Sequence, residues 1–310
     1  LRGSGLRCYR RGVRVLVTGA SGFLGGPACA ELGARGHEVL GLVRRPGSEP
    51  PGTAAVAGDL TDGDALAAAL AEASPEAVVH LAAEIGSQRD PSKIEEVNVN
   101  GMRRLLDASA AAGVRRFVFA STVVTGDAHG AVLTEEDALP VETAYGASKQ
   151  EGERLLRESP LEGIVIRPGH IYGPGGWYAD EFVARLRQPG RFACVGRGDN
   201  LWDMVRDVDV AAALADAVES APPGSTYHCV DDQPLPQYEF LALTARELGV
   251  GPPRRIPAFV ARLVAGKDPA AAVLRSARTS NAKLRRELSW TPRFPTVATG
   301  VPDAIAGLPG

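Results

Sequence analysis

"VLVTGASGFLGG", residues 15–26, joins an apolar, β-branched run to a stretch of small residues that predicts a helix. Gly19, Gly22 and Gly25 stand three residues apart between the two. Glycines in such a turn let the backbone bend tightly and approach a pyrophosphate, and the following helix offers free N–H groups and the positive end of its dipole. The stretch therefore predicts the opening strand, phosphate-binding turn and first helix of a dinucleotide-binding unit.

Beyond this stretch, short apolar segments alternate with Ala- and Leu-rich helical segments as far as residue 168. Strands are predicted at 13–19, 37–44, 54–59, 77–82, 116–121 and 163–169. Such alternation indicates a parallel sheet covered on both faces, and right-handed crossovers make it a doubly wound α/β Rossmann fold.

The domain organisation follows from a change in composition after residue 168, where Pro, Gly and aromatic residues increase. We predict a dinucleotide-binding Rossmann domain from 12–168 plus about 204–231, and a smaller mixed α/β substrate-binding lobe from about 169–203 plus 232–310. Residues 1–11 are basic and lack an apolar period, so we expect a disordered arm or a cloning remnant there.

Composition limits the possible partners. The 310 residues are 45% hydrophobic and 23% charged, with a net charge of −3, so nothing favours nucleic acid or an acidic membrane. No apolar stretch approaches the ~20 residues of a transmembrane helix. Four cysteines stand far apart without Cys-x-x-Cys spacing, which argues against a metal site and fits a reducing compartment. We expect a cytoplasmic protein acting on a small molecule.

A second motif, "AYGASKQ" at residues 144–150, places Tyr145 and Lys149 four apart on one helical face. A free phenol has a pKa of ~10 and is a poor base at neutral pH, but a nearby ammonium lowers that pKa. Such a phenol can give or take a proton while hydride moves to or from a nicotinamide. An ordinary solvated helix face is the competing interpretation.

Taken with the glycine turn, this motif resembles the extended short-chain dehydrogenase/reductase family, also called the NAD-dependent epimerase/dehydratase family. The resemblance extends over nearly the whole chain from about Val13. Further matching segments are "GDL" (58–60), "HLAA" (80–83), "VNVNG" (97–101), "VFASTVVTG" (118–126), "RPGHIYGPG" (167–175), "VRDVDVA" (205–211) and "LRRELSWTP" (284–292). It implies a homodimer as a possible assembly, through the helices near 95–112 and 144–158.

The resemblance also implies a catalytic group of Ser121, Tyr145 and Lys149. Ser121 would hydrogen-bond the reacting oxygen, Tyr145 would be the acid/base, and Lys149 would also hold the nicotinamide ribose. Alone, a serine at a strand end is usually a turn residue; its place behind a dinucleotide turn and ahead of the Tyr–Lys pair favours the catalytic role.

The second strand ends in "LVRRPG", so Arg44 and Arg45 stand where NAD-preferring enzymes place an acid for the ribose 2′-OH. A guanidinium there favours a 2′-phosphate, so we predict NADP, with NAD as the alternative cofactor and a solvated surface arginine as the competing interpretation.

The remaining polar residues of the predicted site have supporting roles: Asn98 would hold the site in place without reacting, and His80 is interpreted as structural. The predicted cofactor contacts are Gly19, Ser21, Gly22, Phe23, Leu24, Gly25, Arg44, Arg45, Asp59, Leu60, Leu81, Ala82, Ala83, Asn98, Lys149, Pro168 and His170.

Three positions depart from the pattern of nucleotide-sugar enzymes in the family. His170 stands in place of an Asn, Trp202 in place of an Arg that grips the diphosphate, and Thr125 in place of an aromatic residue. Loss of that cation moves the expected substrate toward a smaller or more apolar carbonyl or alcohol, although Arg197 or Arg206 could compensate. The predicted substrate contacts are Glu84, Thr122, Thr125, Trp177 and Trp202.

Three functions remain open from the sequence. The first is an NAD(P)-dependent oxidoreductase acting on a carbonyl or secondary alcohol through the Ser-Tyr-Lys group. The second is a nucleotide-sugar epimerase of the 4-epimerase type with tightly bound NAD; dehydration is disfavoured because Thr122 and Val123, not an Asp-Glu pair, follow Ser121. The third is a non-catalytic dinucleotide-binding sensor.

Overall fold

The computed structural model of the protein describes residues 12–85, 88, 90–188, 190, 192–265, 270 and 273–308. The predicted arm at 1–11 lies outside the described residues. Strands are β1 Arg14–Thr18, β2 Glu38–Val43, β3 Ala54–Ala57, β4 Ala77–His80, β5 Arg116–Ala120, β6 Val132–Leu133, β7 Glu162–Pro168, β8 His170–Tyr172, β9 Ala193–Val195, β10 Leu201–Trp202, β11 Met204–Arg206, β12 Thr226–Cys229, β13 Leu235–Pro236, β14 Arg254–Ile256 and β15 Arg278–Thr279.

Helices cover both faces of the main sheet and build the smaller lobe. They are α1 Gly25–Ala34, α2 Gly63–Ala73, α3 Pro91–Ile94, α4 Gly101–Ala111, α5 Ala144–Glu158, α6 Ala184–Leu186, α7 Asp207–Ser220, α8 Gln237–Glu247, α9 Ala258–Ala265, α10 Ala282–Leu288 and α11 Val297–Ala306. Two π-helical segments, Glu95–Asn100 and Trp177–Val183, lead into α4 and α6. Among the described residues, no helix is long and apolar enough to cross a membrane.

Seven parallel strands form the main sheet in the order β12-β7-β5-β4-β1-β2-β3. Val15 on β1 pairs with Val39 of β2 on one side and with Ala77 of β4 on the other. The chain therefore winds outward in both directions from β1, and the crevice at that reversal is where such sheets bind ligands. The predicted doubly wound α/β fold is confirmed.

The pleat of β1 shows how the sequence builds two cores. Val15 and Val17 point to one face and pack with residues of α1 and α7, whereas Leu16 points to the other face and packs with residues of α2 and α4. Successive side chains of a strand alternate between faces, so a strand that is apolar throughout must be covered on both sides.

The third core cluster is aromatic and lies outside the main sheet. Tyr172, Tyr178, Phe182 and Phe240 pack ring against ring, with centroids 5.5 to 5.9 Å apart. Aromatic pairs at this spacing are favourable beyond the area they bury. The division into two domains stays a prediction, but these rings are the interior of the smaller lobe.

Three residues near helix ends show which local sequence features cap a helix and which do not. Asp62 caps α2, since its carboxylate accepts from the Ala65 N–H at 3.1 Å. Gly113 follows α4 with φ of +75°, the left-handed conformation expected at a helix end. Aspartate often caps a helix, but Asp209 does not cap α7, which begins at Asp207. The Asp209 carboxylate accepts instead from the N–H groups of Arg293 and Phe294 at 2.6 and 3.1 Å.

Candidate active site

Parallel strands bring the ends of β1, β4, β5 and β7 to one edge of the sheet. Thr18, His80, Ala120 and Pro168 are the last residues of these strands. The polar residues that follow them in sequence are therefore gathered along one crevice, which is the usual ligand-binding edge of this fold.

The glycine turn between β1 and α1 is built so that side chains are excluded. Gly19 has φ of +69°, and a Cβ placed on it would lie 2.8 Å from the Ala82 nitrogen. A Cβ on Gly25 would lie 2.2 Å from the Ala20 carbonyl oxygen. Gly25 also begins α1, so free backbone N–H groups open toward the same turn. This geometry fits a dinucleotide pyrophosphate.

Thr18 connects the glycine turn to the loop after β4. Its hydroxyl oxygen accepts from the backbone N–H groups of Leu81 and Ala82 at 3.2 and 3.3 Å, and it lies 2.7 Å from His80 Nδ1. Burial, reinforced by the charge of Lys149, lowers the pKa of His80 to about 3. The imidazole is therefore neutral at neutral pH and holds the strand ends together, the structural role inferred from sequence.

Arg44 and Arg45 follow β2 directly and both are exposed. Asp59 lies close enough to Arg44 for that charge to contribute to its pKa, which is lowered chiefly by hydrogen bonds from Thr61. The Thr61 N–H and hydroxyl both bond to Asp59 Oδ1, at 2.9 and 2.8 Å. Among the described residues, Oδ2 is left without a bonded partner, so one oxygen of Asp59 is available at the crevice edge.

Helix α5 carries Tyr145 and Lys149 and is pressed against β5. Thr143 caps its first turn by accepting from the Gly146 N–H at 3.0 Å. A Cβ on Gly152 would lie 2.9 Å from the Phe119 ring, so glycine lets the helix approach the strand closely. The close approach allows Lys149 Nζ to donate to the Ala120 carbonyl at 2.8 Å, one residue before Ser121.

Lys149 and Tyr145 share one face of α5, as the spacing predicted. The ammonium nitrogen lies 5.8 Å from the centroid of the Tyr145 ring. Burial lowers the pKa of Lys149 to about 8, against the opposing effect of Glu153, and burial raises the pKa of Tyr145 to about 12. The sequence predicted a lowered phenol pKa; among the protein's own groups burial outweighs the ammonium, so the phenol holds its proton at neutral pH.

Ser121 is tied into a buried ion pair that sequence analysis did not anticipate. Its hydroxyl donates to Glu153 Oε1 at 2.5 Å. The Arg167 guanidinium donates to both oxygens of the same carboxylate, at 2.8 and 2.7 Å. The available signal was spacing: Glu153 follows Lys149 by four residues and so shares its helical face.

Asn98 joins two segments of the predicted site through hydrogen bonds. Its amide bonds the backbone N–H and carbonyl of Glu84 at 2.8 and 2.9 Å and donates to the Ser148 hydroxyl at 3.0 Å. The Ser148 hydroxyl donates in turn to the Tyr145 carbonyl at 2.8 Å. Asn98 thus links the loop after β4 to the first turn of α5, while the Glu84 side chain accepts from Gln88 at 3.1 Å.

The aromatic residues Trp177 and Trp202, predicted to contact substrate, both lie beside His170, predicted to contact the cofactor, and the three rings differ in burial. His170 is half-buried and stacks on Trp202, with ring centroids 4.5 Å apart and an angle of 16°. Trp202 itself is buried, and its indole N–H donates to the Val273 carbonyl at 3.2 Å. Trp177 is half-buried beside His170 and donates to the Ile171 carbonyl. Of the stacked pair, His170 is therefore the more exposed ring and Trp202 the buried one.

The loop after β5 contains Thr122 and Thr125, which were also predicted to contact substrate. The Thr122 hydroxyl accepts from the Val124 N–H at 2.9 Å and donates to the Pro168 carbonyl at 3.3 Å. The buried Thr125 hydroxyl has no hydrogen-bond partner among the described residues. Beneath this loop, the fully buried Arg275 donates to the carbonyls of Val123 and Gly126 at 3.0 and 3.2 Å. No sequence signal pointed to Arg275.

The two arginines considered as replacements for a diphosphate grip differ in surroundings. Arg206 is buried and its guanidinium is bound to Asp207 and Asp303. Arg197 is exposed and pairs with its neighbour Asp199. Burial lowers the pKa of His170 to about 3, so this residue adds no charge either. A cation for a diphosphate is thus not presented by Arg206 or by His170.

The doubly wound sheet and the glycine turn between β1 and α1 are the architecture of a nucleotide-dependent α/β enzyme. The family model of the NAD dependent epimerase/dehydratase family matches residues 15–229, and the chain belongs to this family. It is an enzyme of the NAD(P)-dependent dehydrogenase, reductase or epimerase type, within the extended short-chain dehydrogenase/reductases.

Named relatives include both reductases and epimerases. A 3-diazoavenalumate denitrifying reductase from a Streptomyces species is 33% identical over 302 residues, covering 93% of this chain and 99% of the relative. A 2-alkyl-3-oxoalkanoate reductase of Stenotrophomonas maltophilia is 30% identical over 74% of each chain. The UDP-glucose 4-epimerase of Thermus thermophilus, solved in complex with NAD, superimposes with a TM-score of 0.82 at 27% identity, covering 95% and 98% of the chains.

Proposed function

We propose that the protein is an NADPH-dependent reductase of a carbonyl group on an aromatic or otherwise apolar small molecule. The observation that carries the proposal is the position of Lys149, 5.8 Å from the Tyr145 ring centroid and bonded to the Ala120 carbonyl beside Ser121. These two contacts support a shared site for the ammonium, the proposed acid and the proposed hydroxyl, at the sheet edge where a nicotinamide would lie.

The chemistry divides between cofactor and protein. Bound NADPH supplies the hydride. Tyr145 gives its phenolic proton to the substrate oxygen, which gains negative charge as the hydride arrives. A proton-bearing phenol suits the reducing direction, and the raised pKa of Tyr145, about 12, keeps it protonated through the neutral range. Lys149 favours the phenolate left behind through its charge, and Ser121 holds the reacting oxygen.

Choice of NADP over NAD rests on Arg44 and Arg45. Both are exposed at the end of β2, and no acid stands at either position. Among the described residues neither guanidinium has a hydrogen-bonded side-chain partner, so both are available to a 2′-phosphate. Asp59, with one oxygen available, is proposed to contact the adenine amino group.

The substrate class rests on the surroundings of His170. This imidazole is neutral, is stacked on the indole of Trp202 and has the Trp177 ring at its edge, 6.5 Å away between centroids. A flat, uncharged surface of this kind favours an aromatic or apolar group over a diphosphate. The two reductase relatives are named for substrates without a nucleotide, which supports the same class.

A UDP-sugar 4-epimerase with tightly bound NAD is the second candidate. It is supported by the NAD complex of the Thermus enzyme and by a UDP-glucose 4-epimerase of Mycolicibacterium smegmatis that is 31% identical over 94% of this chain. It requires a cationic contact to the diphosphate, and the burial of Arg206 against two carboxylates speaks against it.

The proposal also includes the oligomeric state of the protein and its cellular compartment. We propose a homodimer formed through the helices near 95–112 and 144–158, to be tested by light scattering at several protein concentrations. A reducing, cytoplasmic setting is supported by Cys29, Cys194 and Cys229, which are all buried and free.

The deciding experiment compares two reactions. The purified protein is given NADPH and a panel of carbonyls, namely aromatic aldehydes, aryl ketones and β-keto esters, and absorbance at 340 nm is followed. In parallel it is given UDP-glucose and NAD, and the sugar is analysed for epimerisation. Oxidation of NADPH by a panel member, abolished in Tyr145→Phe, supports the proposal. Epimerisation of UDP-glucose with no NADPH oxidation overturns it in favour of the second candidate.

A further inference from the structure

We propose that Glu153 is a positioning residue of the reaction: clamped by Arg167, its carboxylate fixes the Ser121 hydroxyl. This inference rests on the proposed function and adds a residue to it. It begins from a hydrogen bond of 2.5 Å between Ser121 Oγ and Glu153 Oε1, in surroundings where both side chains are buried.

The direction of that hydrogen bond is determined by the ion pair. Arg167 donates through Nε and Nη2 to the two oxygens of Glu153, at 2.8 and 2.7 Å. A carboxylate held in this two-pronged way accepts hydrogen bonds and has none to give, so Ser121 must be the donor. The serine proton therefore points to Glu153. To hold a carbonyl oxygen, the hydroxyl rotates about the Cβ–Oγ bond and donates to that oxygen instead, from an Oγ whose position the buried ion pair has set.

The clamp is rigid because its parts belong to three secondary-structure elements. Glu153 lies on α5, Arg167 lies on β7, and Ser121 directly follows β5. Glu153 is 2% exposed, so water offers no substitute for either partner. Breaking a buried pair by removing one partner leaves a charge without compensation, whereas the intact pair holds one geometry. The serine is thereby fixed relative to the helix that carries Tyr145.

Glu153 has a second consequence through Lys149. The charged and titratable groups around Lys149 are Tyr145 and Glu153 on α5, His80 on β4, and Arg167 on β7 behind Glu153. Glu153 raises the pKa of Lys149 against the effect of burial. Removing the negative charge of Glu153 lowers the pKa of Lys149 further. The pH at which activity declines on the alkaline side of the pH–rate profile, here called the alkaline limb, therefore moves to a lower value. Replacing a residue with a purely structural role would leave the alkaline limb where it is.

The test uses Glu153→Gln, which keeps an accepting oxygen for Ser121 but loses the charge and one bond to Arg167. Its control is Glu151→Gln on the same helix, which removes a partly exposed carboxylate paired with Arg154. NADPH oxidation is measured with the fastest-reduced carbonyl of the panel. We expect kcat of Glu153→Gln to fall about 10- to 100-fold, with KM for NADPH changed less than about 2-fold and Glu151→Gln unchanged.

A double-mutant cycle identifies the route of the effect. If Glu153 acts through Ser121, adding Glu153→Gln to Ser121→Ala lowers kcat by less than about 3-fold at about pH 6, where Lys149 keeps its charge, because the residue it positions is already gone. Should Glu153→Gln fail to fold by circular dichroism, Glu153→Asp, which keeps the charge but is shorter, replaces it; it is expected to lose kcat in the same non-additive way with its alkaline limb unmoved.

The outcomes separate this inference from the proposed function. Additive losses in the cycle, or a Glu153→Gln enzyme that matches Glu151→Gln in kcat and pH profile, overturn the inference while carbonyl reduction stands. A wild-type enzyme that reduces no carbonyl of the panel overturns the proposed function and this inference with it. Non-additive losses of kcat in the double-mutant cycle, together with an alkaline limb of Glu153→Gln shifted to lower pH, support the inference and the proposed function.

Discussion

The ammonium nitrogen of Lys149 lies 5.8 Å from the centroid of the Tyr145 ring, and both groups have pKa values displaced by burial. The pKa of Tyr145 is raised and the pKa of Lys149 is lowered. Compared with the ordinary side chains, the phenol therefore keeps its proton to higher pH, and the ammonium loses its proton at lower pH. Between them lies a range in which Tyr145 is a neutral acid and Lys149 has begun to lose its charge. That arrangement makes the reaction sensitive to pH on its alkaline side.

Replacing Tyr145 by phenylalanine removes the proposed acid while keeping the ring. We expect kcat for carbonyl reduction to fall by about 10²- to 10⁴-fold, the range for loss of a general acid. NADPH binding, measured by fluorescence, should be unchanged because the ring packing is kept. Retention of wild-type kcat in this variant would contradict the role given to the phenol.

The pH profile of the wild-type enzyme forms a second prediction. Carbonyl reduction should decline as pH rises through about 8, the pKa to which burial lowers Lys149. Tyr145 does not cause this limb, because its pKa of about 12 lies far above it. Initial rates at saturating NADPH between pH 6 and about 10 measure the limb. A flat profile across pH 8 would show that the charge of Lys149 is not needed.

The burial of Lys149 also leads to a prediction for the free energy of unfolding. Its pKa in the folded protein is about 8, against 10.5 for the ordinary side chain, so at neutral pH its buried charge costs about 3 kcal/mol. Lys149→Met removes that cost and also the bond to Ala120, worth about 1 kcal/mol. The free energy of unfolding at pH 7 should therefore rise by about 2 kcal/mol, while activity is lost.

The sign of the pH dependence checks the cause. Between pH 8 and 10.5 the unfolded chain holds the lysine proton more often than the folded protein does, so wild-type stability rises with pH relative to the variant. The advantage of Lys149→Met should shrink between pH 7 and about 10 in urea unfolding. A constant difference would mean that packing, not charge, separates the two proteins.

Spacing along the chain predicted the glycine turn and the Tyr–Lys pair, because each is completed within a few residues of one turn or one helix. The Ser121–Glu153–Arg167 clamp was missed because it joins positions up to 46 residues apart, and the sequence alone does not give the register of α5 on β5. Trp202 was predicted as a substrate surface, but its ring is buried and stacked on His170, a contact between positions 32 residues apart that spacing along the chain does not give.

The glycine turn offers a matched pair of substitutions. Gly25→Ala places a Cβ 2.2 Å from the Ala20 carbonyl, whereas a Cβ on Gly26 meets nothing within 4 Å. Because backbone atoms cannot move aside cheaply, Gly25→Ala should lower the free energy of unfolding by about 3 kcal/mol and abolish NADPH binding. Gly26→Ala, in the same helix, should bind NADPH normally and be slightly more stable. Equal behaviour of the two variants would contradict this account of the turn.

Cofactor preference depends on two exposed guanidinium groups at the end of β2. Arg44→Ala and Arg45→Ala each remove a donor to the 2′-phosphate, and a hydrogen bond to a charged group is worth about 1.5–3 kcal/mol. At least one of them should therefore raise the Kd for NADPH by about 10- to 100-fold while leaving the Kd for NADH within about 2-fold. Arg246→Ala, which removes an exposed arginine of α8 paired with Glu247, is the control and should change neither. Equal affinities for NADPH and NADH in the wild-type protein would show that these arginines are ordinary surface residues and that the protein does not prefer NADP.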